Sequence, residues 1–199
     1  MSCLALGFFY ASIKHNERFG LGTKILEFRL SIRDFGAEDA QRIHEIAAKA
    51  WRFTYKALYD PEYIEQFVAT RYSIKGLRGQ LKPMEESLCH FRVIGEPVTG
   101  FLQMGYPGFW DRKTMDTNSV EILRLYIDPD LIGRGYGKAL LQDAERLVRE
   151  VYQMKNIGLY LHSLNELGKS FYLRNDFIHV PIRDVMNREG LEWFLQKHL

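Results

Sequence analysis

The residues whose spacing carries the most chemistry lie between Glu121 and Lys138. The run Glu121-Ile122-Leu123-Arg124-Leu125-Tyr126-Ile127-Asp128-Pro129 leads into Gly133-Arg134-Gly135-Tyr136-Gly137-Lys138, and an amphipathic segment follows. This order reads as a strand delivering a glycine-rich loop onto a helix N-terminus. The first N–H groups of a helix lack intrahelical acceptors and sit at the positive end of its dipole, so phosphate oxygens are natural partners. Glycine at alternate positions removes every second Cβ and lets a ligand approach the backbone. Arg134 and Lys138 add positive charge. A surface turn holding no ligand is the competing reading of the loop taken alone.

The spacing excludes two common phosphate motifs. A Walker loop needs glycine five places before the Gly-Lys pair and Ser or Thr after it, where this chain has Ile132 and Ala139. A dinucleotide fingerprint needs its third glycine where Lys138 stands. The helix after the loop is well marked, because Leu140, Leu141, Ala144, Leu147, Val148 and Val151 recur at three- and four-residue spacing.

A second block lies downstream. Ile157 to His162 is an apolar run that reads as a buried strand, and Asn165-Glu166-Leu167-Gly168-Lys169-Ser170-Phe171-Tyr172-Leu173-Arg174-Asn175-Asp176-Phe177 follows it. Together the two blocks resemble the GNAT superfamily of N-acetyltransferases. Gly135 and Gly137 match its acetyl-CoA motif, Gly133 is a common addition, and Ile132 departs from the usual Gln or Arg. The second block matches the family's downstream pattern at the same spacing, with Asp176 in place of a glycine. A narrower similarity to PaiA-type polyamine acetyltransferases covers most of residues 40 to 178, including Trp51, Thr54, Tyr55, Tyr63 and Ile64.

The resemblance implies acetyl-CoA as co-substrate, with the pyrophosphate on backbone N–H groups of Gly133, Arg134, Gly135, Tyr136, Gly137 and Lys138. It also implies fourth and fifth strands, near Glu121 to Ile127 and Ile157 to His162, that splay apart. The pantetheine arm fills that gap as an added strand would, along the backbone of Leu125, Tyr126 and Ile127. Acetyl transfer to an amine must remove a proton from the ammonium and supply one to the departing thiolate. Tyr172, at the family's tyrosine position, is the candidate acid; a phenol near pKa ~10 is comparable with a thiol near ~8.5. Glu121, at the glutamate position of histone acetyltransferases in this superfamily, is the candidate base through water, favoured by desolvation among Val120, Ile122 and Leu123. An ion pair with Arg124 is the competing reading, which strand alternation opposes by sending the two to opposite faces.

Other residues have two readings each. Asn165 is a coenzyme A contact or a helix N-cap; His162 is an acceptor-site group or a structural strand end. Trp51 and Tyr55 are acceptor-site residues or packing between the first helices. The PaiA-like similarity implies spermidine- or spermine-like acceptors, for which Glu121, Asp128, Asp111, Asp116, Glu62 and Glu65 are available carboxylates.

Composition and pattern set the frame. The chain has 199 residues, 46% hydrophobic, enough for one substantial core. Residues 25–199 read as a single acetyltransferase domain. Residues 1–24 read as an extension, since the apolar patch Leu4 to Ile13 lacks a signal-peptide pattern and is too short to span a bilayer. A net charge of +2 with dispersed Lys and Arg argues against a nucleic-acid partner. Two cysteines, Cys3 and Cys89, form no disulfide or metal framework, which suits a cytoplasmic setting. No metal site and no membrane partner are expected, and a homodimer is compatible with the reading. Helices are expected over Ala37 to Arg52, from Pro61 and from Ser73. Strands are expected at Ile25 to Ile32, Leu88 to Ile94, Val98 to Tyr106, Phe177 to Pro181 and Leu191 to Gln196. The order gives an α/β or α+β fold with one mainly antiparallel sheet flanked by helices. The leading function is a small-amine N-acetyltransferase. A protein or peptide N-terminal acetyltransferase is the alternative, and a non-catalytic coenzyme A-binding regulator the third.

Overall fold

The computed structural model describes residues 31–85, 89–106, 119–187 and 190–199. The extension expected over residues 1–24, most of the strand expected from Ile25, and Asp111 and Asp116 lie outside these segments. In chain order the elements are β1 (Ile32–Asp34), α1 (Ala40–Tyr55), α2 (Pro61–Arg71), α3 (Ile74–Arg78), α4 (Leu81–Glu85), β2 (Cys89–Ile94), β3 (Gly100–Gly105), β4 (Ser119–Ile127), α5 (Tyr136–Glu150), β5 (Asn156–His162), α6 (Glu166–Leu173), β6 (Ile178–His179), β7 (Val185–Asn187) and β8 (Gly190–His198). The strands form one sheet in the order β1-β2-β3-β4-β5-β8-β6, with β7 on β8. Every pairing is antiparallel except β4 with β5. The mixed, mainly antiparallel sheet expected from the element order is therefore the one observed.

Local signals explain where the helices begin. Asp39 accepts the Gly36 N–H and a two-point contact from Arg33 at 2.7 and 2.8 Å, fixing the entry to α1 against β1. Pro61 stands in the first turn of α2, where its missing N–H is harmless. Ser73 caps α3, its Oγ accepting the Gly76 N–H. Ile43, Ile46 and Ala47 of α1 are fully buried with Phe91 and Phe101 on one face of the sheet. Leu140, Leu141, Ala144 and Val148 of α5 pack with Met104, Val120 and Ile157 on the other. Burying one such leucine side chain is worth about 2 kcal/mol, so these two faces hold the helices in place.

One irregularity in β4 decides how the site is built. Arg124 pairs with Gln103 but Ile122 pairs with Met104, so Leu123 is an extra residue, a β-bulge. The bulge reverses the alternation that regular spacing implies. Met104 and Ile122 belong to the α5 core, whereas Gln103 and Arg124 lie with Phe91 on the α1 face. Glu121, paired with Gly105 and through it with Cys89, also lies on the α1 face. Glu121 and Arg124 therefore share a face, correcting the expectation that alternation separates them.

The end of β4 is tied to α1 by charge. Asp128, 6% exposed, receives Arg42 and Lys49, each at 2.7 Å, and its Oδ1 accepts the Asp130 N–H. Burial works against its ionised form, but hydrogen bonds from Lys49, Arg42 and the Asp130 N–H hold its carboxyl below the usual range. Such a depressed group contributes stability above about pH 4, and the contribution is lost as pH falls through the folded pKa. We expect Asp128→Asn to lower stability by about 2 kcal/mol at pH 7. The gap to wild type in thermal unfolding should close below about pH 4.

Candidate active site

The site starts where β4 and β5 part. They pair at Ser119 with Asn156, Val120 with Ile157 and Glu121 with Gly158, and no further. Beyond that point each strand keeps its outer neighbour, Ile127 against Gly100 of β3 and His162 against Glu192 of β8. Backbone groups on the inner edges of residues 122–127 and 159–162 thus face a gap, and a chain-like ligand bearing amides could pair with them. A cleft of about 890 Å³ opens there, lined by Glu121 to Ile127, Gly133, Gly135 to Lys138, Leu159 to His162, Asn165 and Tyr172.

The glycine loop closes one end of this cleft. Gly133 and Gly135 have φ of +85° and +88°, which residues with a Cβ rarely adopt. A Cβ at either position would meet nothing within 4 Å, so both face open space. Gly135 is the N-cap of α5, and Ala139 is the residue whose N–H reaches back to Gly135 O. The N–H groups of Tyr136, Gly137 and Lys138 precede that first intrahelical bond and are available to an anion. At Gly137 a Cβ would come within 3.3 Å of the Phe171 ring, so close helix packing also demands a small residue. Ile132 is 41% exposed at the mouth of the loop.

Asn165 serves both readings given to it. Its Oδ1 accepts the Gly168 N–H and caps α6, while its Nδ2 donates to the Tyr55 hydroxyl at 3.4 Å. Tyr172, two turns further along α6, is 6% exposed, with its ring edge-on to Phe171 and Phe177. Burial, with the nearby Tyr55 phenol, pushes its hydroxyl well above the usual phenol range. Tyr55 is raised to about 12, chiefly by burial. Both phenols are therefore proton carriers, not anions, across the physiological range. Asp176, which replaces a glycine of the pattern, has φ of +68°, a conformation Asp tolerates better than most residues.

The opposite wall is aromatic. Trp51 lies 4.4 Å from Tyr55 and 3.9 Å from Phe67 between ring centroids, and Tyr59 lies 4.9 Å from Tyr63. Trp51 Nε1–H donates to the Tyr126 hydroxyl, placing that side chain on the α1 face while the Tyr126 backbone borders the gap. Trp51 and Tyr55 are thus both core residues and cleft lining. His162 meets Tyr55 and Tyr59 edge-on, and its Nδ1 accepts the Leu164 N–H. Glu121 is 2% exposed at the last paired position of β4. Of the other carboxylates named for a polycation, Asp128 is held by Arg42 and Lys49, Glu65 by Arg52, and Glu62 bonds Gln66. Glu192 lines the cleft instead, together with Tyr59, Phe67, Tyr72 and Tyr160, none of which the sequence had marked, and with Arg124, which it had weighed only as an ion-pair partner of Glu121. Among the described residues no three His, Cys, Asp or Glu side chains are grouped to hold a metal, and no helix is long and apolar enough to cross a membrane.

Residues 87–179 match the family model of the acetyltransferase (GNAT) domain. That segment is similar to a GNAT acetyltransferase domain. Its splayed strands and glycine loop are the features that the resemblance implied. The spermidine N(1)-acetyltransferase of Thermoplasma acidophilum is 29% identical over 168 residues, 84% of this chain and 96% of its own length. The crystal structure of the PaiA N-acetyltransferase from the same organism, in complex with coenzyme A, aligns with a TM-score of 0.71. It is 26% identical and covers 86% of this chain and 99% of its own. A spermidine N-acetyltransferase SpeG chimera from Vibrio cholerae and hSSAT reaches a TM-score of 0.62 at 14% identity, covering 85% of this chain and 95% of its own. That likeness concerns the fold alone.

Proposed function

We propose that this GNAT N-acetyltransferase moves the acetyl group of acetyl-CoA onto a primary amine of a small polyamine such as spermidine or spermine. The observation that carries the acceptor class is the spermidine N(1)-acetyltransferase relative, aligned over 84% of this chain. The cleft supports it with aromatic faces from Trp51, Tyr55 and Tyr59, which attract alkylammonium groups, and with the carboxylates of Glu121 and Glu192.

Acetyl-CoA supplies an activated acyl thioester, and the residues present suit it. The open loop at Gly133 and Gly135 with the first N–H groups of α5 would hold the pyrophosphate, aided by Arg134 and Lys138. The unpaired inner edge of β4 at Leu125 to Ile127 would hold the pantetheine amides. Glu121, at the closed end of the gap, takes the proton of the acceptor ammonium through water. Tyr172 donates from its neutral phenol to the departing sulfur, and Asn165, bonded to the Tyr55 hydroxyl, fixes the start of the helix that carries it.

The test is free-thiol release from acetyl-CoA with spermidine, spermine, N-terminal peptides and amino sugars. Polyamine-dependent release above the others supports the reading, and preference for peptides would replace it with the N-terminal acetyltransferase alternative. Glu121→Gln should lower kcat about a hundredfold, with the deficit shrinking as pH rises and the free amine becomes available from solution. A uniform deficit across pH would remove Glu121 from the role of base.

A further inference from the structure

Among the described residues no ion pair joins Arg124, an arginine of the acceptor wall, to a carboxylate. Its Nε donates to Gln103 Oε1 at 2.7 Å, and Gln103 is in turn fully buried with its Nε2 on Gln80 Oε1 at 3.1 Å. The guanidinium lies 5.1 Å from the Tyr72 ring centroid and 5.4 Å from that of Phe91. The group is therefore held in one orientation, yet Nη1 and Nη2 make no hydrogen bond or ion pair with the described residues. By contrast Arg42, Arg52, Arg92 and Arg146 each meet a carboxylate. Through the bulge at Leu123, Arg124 shares the α1 face with Glu121 and lines the same cleft.

A preoriented cation facing a partly dry cleft is costly unless a ligand answers it, and a guanidinium fork matches a carboxylate in two-point geometry. A polyamine, positive throughout, cannot be that ligand. We propose that the cleft also accepts diamino acids, with the side-chain amine of an ornithine- or lysine-like acceptor at the reacting end and its carboxylate on Nη1 and Nη2 of Arg124. Ornithine and lysine are putrescine and cadaverine with a carboxylate added, so the acceptor keeps the aminoalkyl chain that the aromatic wall suits. The ammonium gives up one proton before attack, the amine nitrogen bonds to the acetyl carbon and sheds a second, the carbon–sulfur bond breaks, and the sulfur leaves with the electron pair and takes one proton, so that one proton in net passes to water. The inference rests on the acetyl-transfer reading and is independent of whether spermidine is used.

The experiment compares kcat/KM for ornithine over putrescine, and for lysine over cadaverine, by thiol release with the full chain. Wild type should give ratios of one or more. Arg124→Gln should lower each ratio about 30-fold or more, chiefly by raising KM for the amino acid, and Arg124→Lys should recover part of it. Coenzyme A binding by calorimetry checks that each variant is folded, and either variant alone suffices for the comparison. Turnover of spermidine with neither amino acid used by wild type would overturn the proposal. So would equal losses for both members of a pair, which is what a purely supporting role under Tyr72 and Phe91 would give. Absence of amine-dependent thiol release with every acceptor would instead remove the acetyl-transfer reading beneath it.

Discussion

Tyr172→Phe is expected to lower kcat about a hundredfold while leaving KM for acetyl-CoA within a few-fold of wild type, because the change removes a proton donor and keeps the ring. The ring packs edge-on against Phe171 and Phe177, so the variant should fold with little loss of stability. The burial that holds the hydroxyl above the usual phenol range sets a second expectation. A raised pKa keeps the donor protonated at and beyond pH ~10, so the alkaline limb of kcat in wild type should not appear below that value. Steady-state rates between pH 6 and 10 check both. An unaltered kcat in Tyr172→Phe would take the phenol out of the proton path and leave the thiolate to depart unaided.

Gly135→Val should weaken coenzyme A binding about a hundredfold. A β-branched residue at φ +88° costs about 2 kcal/mol of backbone strain, which the loop relieves by turning its N–H groups away from the anion. Its Cβ would also project into the open space above the loop, where no protein atom lies within 4 Å. Packing is therefore not disturbed, and the loss should be read in the dissociation constant by calorimetry more than in thermal unfolding. Unchanged affinity would mean that the loop is not where the pyrophosphate binds.

What the sequence could announce was local. The glycine loop, the helix behind it and the Asn165 to Phe177 segment are contiguous, and their spacing alone states a strand, an anion site and a capped helix. Asp176 is legible in the same way, since the pattern expects glycine there and the backbone indeed takes a positive φ. Glu192 could not be found so, because it reaches the cleft only when β8 pairs with β5 and sets it opposite His162. Tyr59 lies in the turn between α1 and α2, Phe67 on α2 and Tyr72 at its C-cap, and all three enter the wall through the packing of those helices. Asp128 illustrates the reverse case. It was available as a cleft carboxylate on charge grounds, but the approach of Arg42 and Lys49 on α1 turned it into a strut for the loop.

The bulge at Leu123 gives β4 two phases. On its early half Glu121 faces the α1 side and Ile122 the α5 side; on its late half Arg124 and Tyr126 face α1 while Leu125 and Ile127 face α5. Were Leu123 to take a regular place in the pleat, the late half would show its apolar pair to the acceptor wall and press a guanidinium and a phenol into the α5 core. The bulge thus sets the parity of the strand: deletion of Leu123 would keep both faces, whereas drawing it into the ladder would exchange two ligand-facing surfaces at once without changing any side chain.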